Sequence, residues 1–240
     1  MSRLHETKRI LDPWLRRMGW EFNRYPGRNP AHRRNLILQS LAAELVIDVG
    51  ANTGQYGLEL RDYGFQGDIL SFEPLEDAFS ELQKRVAKDH RWEARQTAVG
   101  DRSGTIDFHV AGNSVSSSAL KMLSRHEQVV PQSATIRTVT VPVGQLDSLI
   151  NVPDSRRSFL KIDTQGYEAR VLDGATEALA QFDGIEMELT LTPLYAGQSL
   201  MPELVARLAS TGFRLASLSS GFCDHRTGEV LQVDGIFLRA

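Results

Sequence analysis

The stretch Leu45–Gly57, LVIDVGANTGQYG, decides the fold of this 240-residue chain. Leu45, Val46, Ile47, Asp48 and Val49 run without apolar/polar alternation, the pattern of a strand covered on both faces. Gly50, Asn52 and Gly54 then break the run and a helix follows. Glycine has no Cβ, so such a turn bends tightly and lets a ligand approach the backbone, while the first N–H groups of the helix are open to an anion. This is the anatomy of a nucleotide-cofactor loop. A dinucleotide fingerprint, G-x-G-x-x-G, has glycines at its first, third and sixth places. Here they fall at 50, 54 and 57, with Asn52 in the middle position.

The pattern D-x-G-x-N-x-G from Asp48 resembles the first motif of Rossmann-like S-adenosylmethionine-dependent methyltransferases. That resemblance implies that Asp48 lies near the ligand's amino group. Two alternatives stand beside it: an NAD-dependent oxidoreductase, and an S-adenosylmethionine-binding module without turnover.

Composition bounds the rest. With 41% hydrophobic and 24% charged residues, the chain has the make-up of a soluble α/β domain with a core of its own. A net charge of −3 argues against a dedicated nucleic-acid binder. Cys223 is the sole cysteine, which excludes an internal disulfide and a cysteine-based metal cluster and points to the cytoplasm. No apolar stretch approaches the ~20 residues of a membrane span. Residues 1–40 carry nine Lys and Arg against three acids. Leu4, Ile10, Leu11, Trp14, Leu15 and Met18 fall at helical spacing there, the mark of amphipathic helices that pack on the domain edge, cover the site or make peripheral contact with an anionic membrane. The expected division is a helical segment, 1–43, and a cofactor-binding domain, 44–240.

Along that domain, helices and strands alternate. Asp68–Phe72 is expected as the second strand, ending in Glu73, which comes 23 residues after Gly50, near the spacing of a ribose-binding carboxylate. The third strand is expected from Trp92 to Val99, closing on Asp101, a residue for an adenine amino group or simply for a turn. Thr105–Val110 and Thr135–Val143 alternate and pair antiparallel; the long segment between them, small and polar from Gly112 to Ser118, reads as a mobile lid or as disorder. Ser158–Ile162 restores a parallel strand and enters a helix through Leu179. The last two strands are joined without a helix, so the final one runs antiparallel.

LVIDVGANTGQYG, SFEP, AVGD, SVSSS, FLKIDTQGYEARVLDGA, ELTLTPLYAG and VDGIFL, in this order, resemble the FkbM-type methyltransferases from Leu45 to Leu238. The resemblance implies an α/β fold, a Rossmann-like seven-stranded methyltransferase sheet with one antiparallel strand, here with N-terminal helices and a β insertion. It also implies O-methylation of a sugar, glycolipid or other secondary metabolite. S-adenosylmethionine would be held by Asp48, Gly50, Asn52, Gly54, Glu73 and Asp101. Asp163 would lie at the catalytic edge. Gln165 departs from the pattern D-x-E-G that many members carry.

Methyl transfer to a hydroxyl needs in-line orientation and removal of a proton. The expected order of candidate bases is Asp163, then His126, then Glu188. His109 and His225 sit in no distinctive motif. Asp163 and Glu188 end successive strands, so a magnesium ion between their carboxylates is one expectation. The other is that Asp163 caps the next helix while Glu188 binds substrate hydroxyls. The acceptor's identity and the oligomeric state are not written in the sequence.

Overall fold

The run LVIDV forms a strand whose five residues are all buried. The structure, a computed structural model, describes residues 29–153 and 155–240. The helices expected across Leu4 to Met18 lie outside the described residues. In chain order, α1 (Pro30–Ser40) leads to β1 (Leu45–Val49), α2 (Gln55–Asp62), β2 (Asp68–Phe72), α3 (Glu76–Val86) and β3 (Trp92–Arg95). An insertion follows with β4 (Ala98–Val99), β5 (Gly104–Ala111), α4 (Ser124–Val129) and β6 (Thr135–Gly144). The chain returns through α5 (Leu146–Leu149), β7 (Ser158–Ile162), α6 (Glu168–Asp173), β8 (Gly184–Thr190), α7 (Met201–Ser210) and β9 (Phe213–Ser220). The short hairpin strands β10 (Cys223–Asp224) and β11 (Glu229–Val230) precede β12 (Gln232–Arg239).

Seven strands form the main sheet in the order β3-β2-β1-β7-β8-β12-β9. β12 runs antiparallel to both β8 and β9, because only the small hairpin separates it from β9 and no helix carries the chain back to the other end. The expected architecture, one reversed strand included, is therefore the observed one. Two helical layers complete it. Ile47, Val49, Leu160 and Ile162 pack against Val171, Leu172, Leu204 and Leu208 on one face. On the other, Val46, Ile69 and Phe159 pack against Leu38, Leu60, Phe79 and Leu82.

The third strand differs from its expected extent. Trp92–Arg95 stays in the main sheet, whereas Ala98–Val99 leaves it and pairs in parallel with β6 in a separate three-stranded sheet, β4-β6-β5. β5 and β6 pair antiparallel, as their alternation predicts. The helix expected through Leu179 stops at Asp173, and a separate 3-10 turn spans Ala178–Gln181.

Trp92 explains two of the loop glycines. A Cβ on Gly57 would stand 2.3 Å from the indole ring, and one on Gly54, whose φ is +89°, would meet Leu82 at 2.8 Å. Both are thus needed for helix α2 to lie close to the sheet. Gly57→Ala is expected to cost about 1–3 kcal/mol by overpacking. Denaturant unfolding checks this, and an unchanged midpoint would show that the indole has room to move.

Candidate functional site

A polar row crosses the sheet just below the glycine loop. Lys161, Asp48 and Ser71 occupy one register on adjacent strands β7, β1 and β2. The Lys161 Nζ lies 3.1 Å from Asp48 Oδ1, Ser71 Oγ donates to Asp48 Oδ2 at 3.1 Å, and Trp92 Nε1 donates to Ser71 Oγ at 3.0 Å. Asp48 is completely buried. It therefore stands beneath the ligand cavity as the anionic half of an internal ion pair, and it does not form part of the cavity wall. Lys161 does reach the wall and donates to the Gly50 carbonyl at 2.9 Å. Burial alone would lower its pKa, but the carboxylates of Asp48 and Asp163 reverse that and hold the ammonium above its ordinary value.

Above the row, a cavity of about 340 Å³ opens at the carboxyl ends of β1, β2 and β7. Gly50 and Asn52 line it; Gly54 lies behind, against Leu82 and Trp92. The backbone of Gly50 has φ +78°, and a Cβ there would fall 1.9 Å from the Asp163 carbonyl, so β1 and β7 meet at the cavity only because this residue is glycine. Glu73 also lines the cavity. Asn52 N donates to one of its oxygens and Leu75 N to the other, both at 2.9 Å. Each oxygen keeps a lone pair for a ligand hydroxyl. Phe72, Leu75, Ile106, Phe108 and Tyr167 make the adjoining wall apolar and partly aromatic.

Asp163 and Gln165 also line the cavity. Asp163 and Glu188 do approach each other, and the Gln165 amide fills the interval: Nε2 is 2.8 Å from Asp163 Oδ1 and 2.9 Å from Glu188 Oε2. The position expected for a magnesium ion is thus taken by a side-chain donor. Among the described residues, no group of three or more His, Cys, Asp or Glu is arranged to hold a metal ion. Asp163 is the more open of the pair, with its side chain 42% exposed. Glu188, off the cavity wall, also accepts from Gln232 Nε2 at 2.6 Å. Asp163 does not cap α6; Glu168 organises that turn instead, accepting from Thr164 N at 2.9 Å and Gly166 N at 3.1 Å.

The insertion is folded over the cavity. Ser114, Val115 and Ser117 line it, and the serines expected in a mobile stretch are largely buried. Ser117 Oγ accepts from Ala111 N, and Ser118 Oγ donates to the Gln165 carbonyl at 2.7 Å, so their hydroxyls satisfy backbone groups where a loop crosses the protein. His126 is buried in α4, with Nδ1 2.8 Å from Ser133 Oγ and its ring against Tyr195 and Phe222. It stands off the cavity, as does Asp101, whose carboxylate is paired with Arg170 at 3.2 Å.

Several acids near the site share one electrostatic signature. Burial, only partly offset by the N–H donors, pushes Glu73 and Glu168 each to about 7. Burial and then Glu186 take Asp234 to about 6, and burial with Asp163, Glu168 and Asp234 drives Glu188 well upward. A carboxyl with a raised folded pKa stabilises the fold below its unfolded value and loses that contribution as pH rises through the folded one. His126, lowered by burial, acts in the opposite sense below 6.5, one group against four. The melting temperature is therefore expected to be higher near pH ~5 than near pH ~8. Scanning calorimetry checks this, and the reverse order would contradict the burial of these acids.

Comparison with known proteins bears on the family. The family model described as the methyltransferase FkbM domain matches residues 48–215. The chain belongs to the FkbM methyltransferase family. The 2-O-methyltransferase NoeI of Sinorhizobium fredii is 22% identical over 174 residues, covering 70% of this chain and 72% of that protein. Methyltransferase 1 of Beauveria bassiana is 29% identical over 142 residues, 54% of this chain and 57% of the relative. The crystal structure of an FkbM methyltransferase from Methylobacillus flagellatus superposes with a TM-score of 0.54 at 15% identity, over 82% of this chain but only 43% of that one. At that identity the likeness concerns the fold.

Within this FkbM-family site, motif reading passed over Lys161, Gln165 as a donor, and a second ion-pair cluster. Arg34 of α1 forks onto Glu186, with Nε 2.5 Å from Oε2 and Nη2 2.8 Å from Oε1. It also pairs with Glu59, and the Tyr56 hydroxyl donates to Glu186 at 2.8 Å. A signal was present for Lys161 and Glu186: charged residues inside otherwise apolar strands, at positions that pair across β7 and β8.

Proposed function

We propose that this FkbM-family chain transfers a methyl group from S-adenosylmethionine to a hydroxyl of a small-molecule or glycolipid acceptor, a sugar or other secondary metabolite. The observation that carries the reading is one cavity lined both by Glu73, fixed by two backbone N–H donors, and by Asp163, whose side chain is partly open. The wall fits a nucleoside: the Glu73 oxygens offer acceptors to a ribose diol, and the apolar side with Phe72, Phe108 and Tyr167 suits a base. Gly50 and Asn52 would hold the amino-acid portion, with Asp48 acting from below through Lys161 and the loop. Bound there, the sulfonium supplies an electrophilic methyl: as the acceptor oxygen bonds to that carbon, the C–S electron pair stays on sulfur and the hydroxyl proton passes to a base.

Asp163 is the base in this reading, because its partly exposed side chain lines the cavity beside Lys161, whereas Glu59, the other exposed acid there, is paired with Arg34. Glu188 holds the far side of Gln165, and His126 supports the insertion as a lid. Three features support a hydroxyl acceptor: Asp163, the name of the Sinorhizobium relative, and the absence of any excess positive charge for nucleic acid. The reading places the enzyme in the cytoplasm, with residues 1–43 appended to the domain at 44–240 and open to peripheral membrane contact through their basic side chains. Among the described residues, no helix is long and apolar enough to cross a membrane. Transfer of labelled methyl across a panel of glycosides, glycolipids and polyketides tests the proposal. A labelled, base-stable ether product is expected. Cofactor binding with no transfer to any member would favour a binding module without turnover.

A further inference from the structure

The two carboxylates at the ends of β7 and β8 raise a question that the methyl-transfer reading leaves open: what holds them together. Two acids within reach of one group repel each other and call for a cation or a donor between them. The residue that meets both is Gln165. Its backbone is held in the left-handed region, φ +55°, an uncommon conformation for a residue with a Cβ. Both ends of its side chain are engaged: Nε2 with Asp163 and Glu188, and Oε1 with the Tyr195 hydroxyl at 3.0 Å. Its carbonyl accepts from Ser118 of the insertion.

We propose that Gln165 is a positioning residue that replaces a divalent cation, its amide holding Asp163 and Glu188 in place so that the site works without metal. Each carboxylate already has further partners. Lys161 faces Asp163 Oδ2, and Gln232 Nε2 donates to Glu188. The amide therefore occupies Oδ1 of Asp163 and leaves Oδ2, which faces Lys161 at 3.8 Å, as the oxygen to take the acceptor's proton. The inference rests on the methyl-transfer reading for its catalytic meaning, but the cation question stands on geometry alone.

Exchange of the amide for an acid of the same shape separates the possibilities. The full-length wild type and Gln165→Glu are titrated with Mn²⁺ alone, free Mn²⁺ being read by electron paramagnetic resonance. The wild type is expected to leave the ion free. In Gln165→Glu a third carboxylate faces the other two, and uptake of one ion per chain is expected, with affinity about tenfold or more above the wild type's. Adding Asp163→Asn should abolish that uptake. Scanning calorimetry with Mg²⁺ should raise the melting temperature of Gln165→Glu and leave the wild type unmoved.

Wild-type Mn²⁺ uptake that Asp163→Asn removes would overturn the proposal, and this outcome needs no foldable Gln165 variant. A folded Gln165→Glu that takes up no Mn²⁺, or keeps its ion after Asp163→Asn, would overturn it equally. Calorimetric titration of the wild type with S-adenosylmethionine is run alongside. Failure there would strike the methyl-transfer reading, while the Mn²⁺ results decide the role of Gln165 separately.

Discussion

Exchange of Lys161 for methionine is expected to destabilise the protein by about 3–5 kcal/mol, the usual cost of stripping the partner from a buried charge. Asp48 has no solvent exposure, and its remaining donor is the Ser71 hydroxyl. For a chain of this size the loss corresponds to a fall in melting temperature of about 10 °C. The damage should also reach the cavity, because the same ammonium donates to the Gly50 carbonyl. The double variant Lys161→Met with Asp48→Asn should regain much of the stability, since a neutral amide costs far less to bury than a lone carboxylate. Thermal unfolding of the three proteins measures this directly. A single variant as stable as the wild type would mean that the pair is not closed from water.

The second large effect concerns Glu73. Glu73→Gln keeps the shape but sets an NH₂ against one of the two backbone N–H groups that now meet carboxylate oxygens, those of Asn52 and Leu75. It also removes one of the two acceptors offered to a ribose diol and weakens the other. Hydrogen bonds to a charged group contribute about 1.5–3 kcal/mol each, so at pH ~8, where Glu73 is ionised despite its raised pKa, cofactor affinity is expected to fall about 100-fold. Calorimetric titration gives the dissociation constants. Equal affinities would remove Glu73 from the binding site and leave the cavity without its polar anchor.

How much of this could be read from residues alone differs from place to place. LVIDVGANTGQYG was decisive because a doubly covered strand, a glycine turn and a helix leave a local imprint. The helix-free link before Val233–Arg239 likewise forces the reversed strand. The split at Arg95–Ala98 was hidden, because Ala98 and Val99 are as apolar as any strand of the main sheet, and only their partner, β6, distinguishes them. Roles set by long-range pairing were also hidden. Asp48 read as a ligand contact, yet its environment is fixed by Lys161, more than a hundred residues away in sequence. Gln165 read as a lost charge, whereas its amide connects two strands and the insertion. The serines at 116–118 looked like a mobile tract because sequence shows composition, and burial depends on what folds beneath them.

The proposed activity depends on the cavity above Lys161 accepting a sulfonium nucleoside. Titration calorimetry of the wild-type chain with S-adenosylmethionine, S-adenosylhomocysteine and NAD tests this most directly. Saturable one-to-one binding of the first two, with no heat from NAD, is the predicted result. Binding of NAD without either sulfur nucleoside would contradict it.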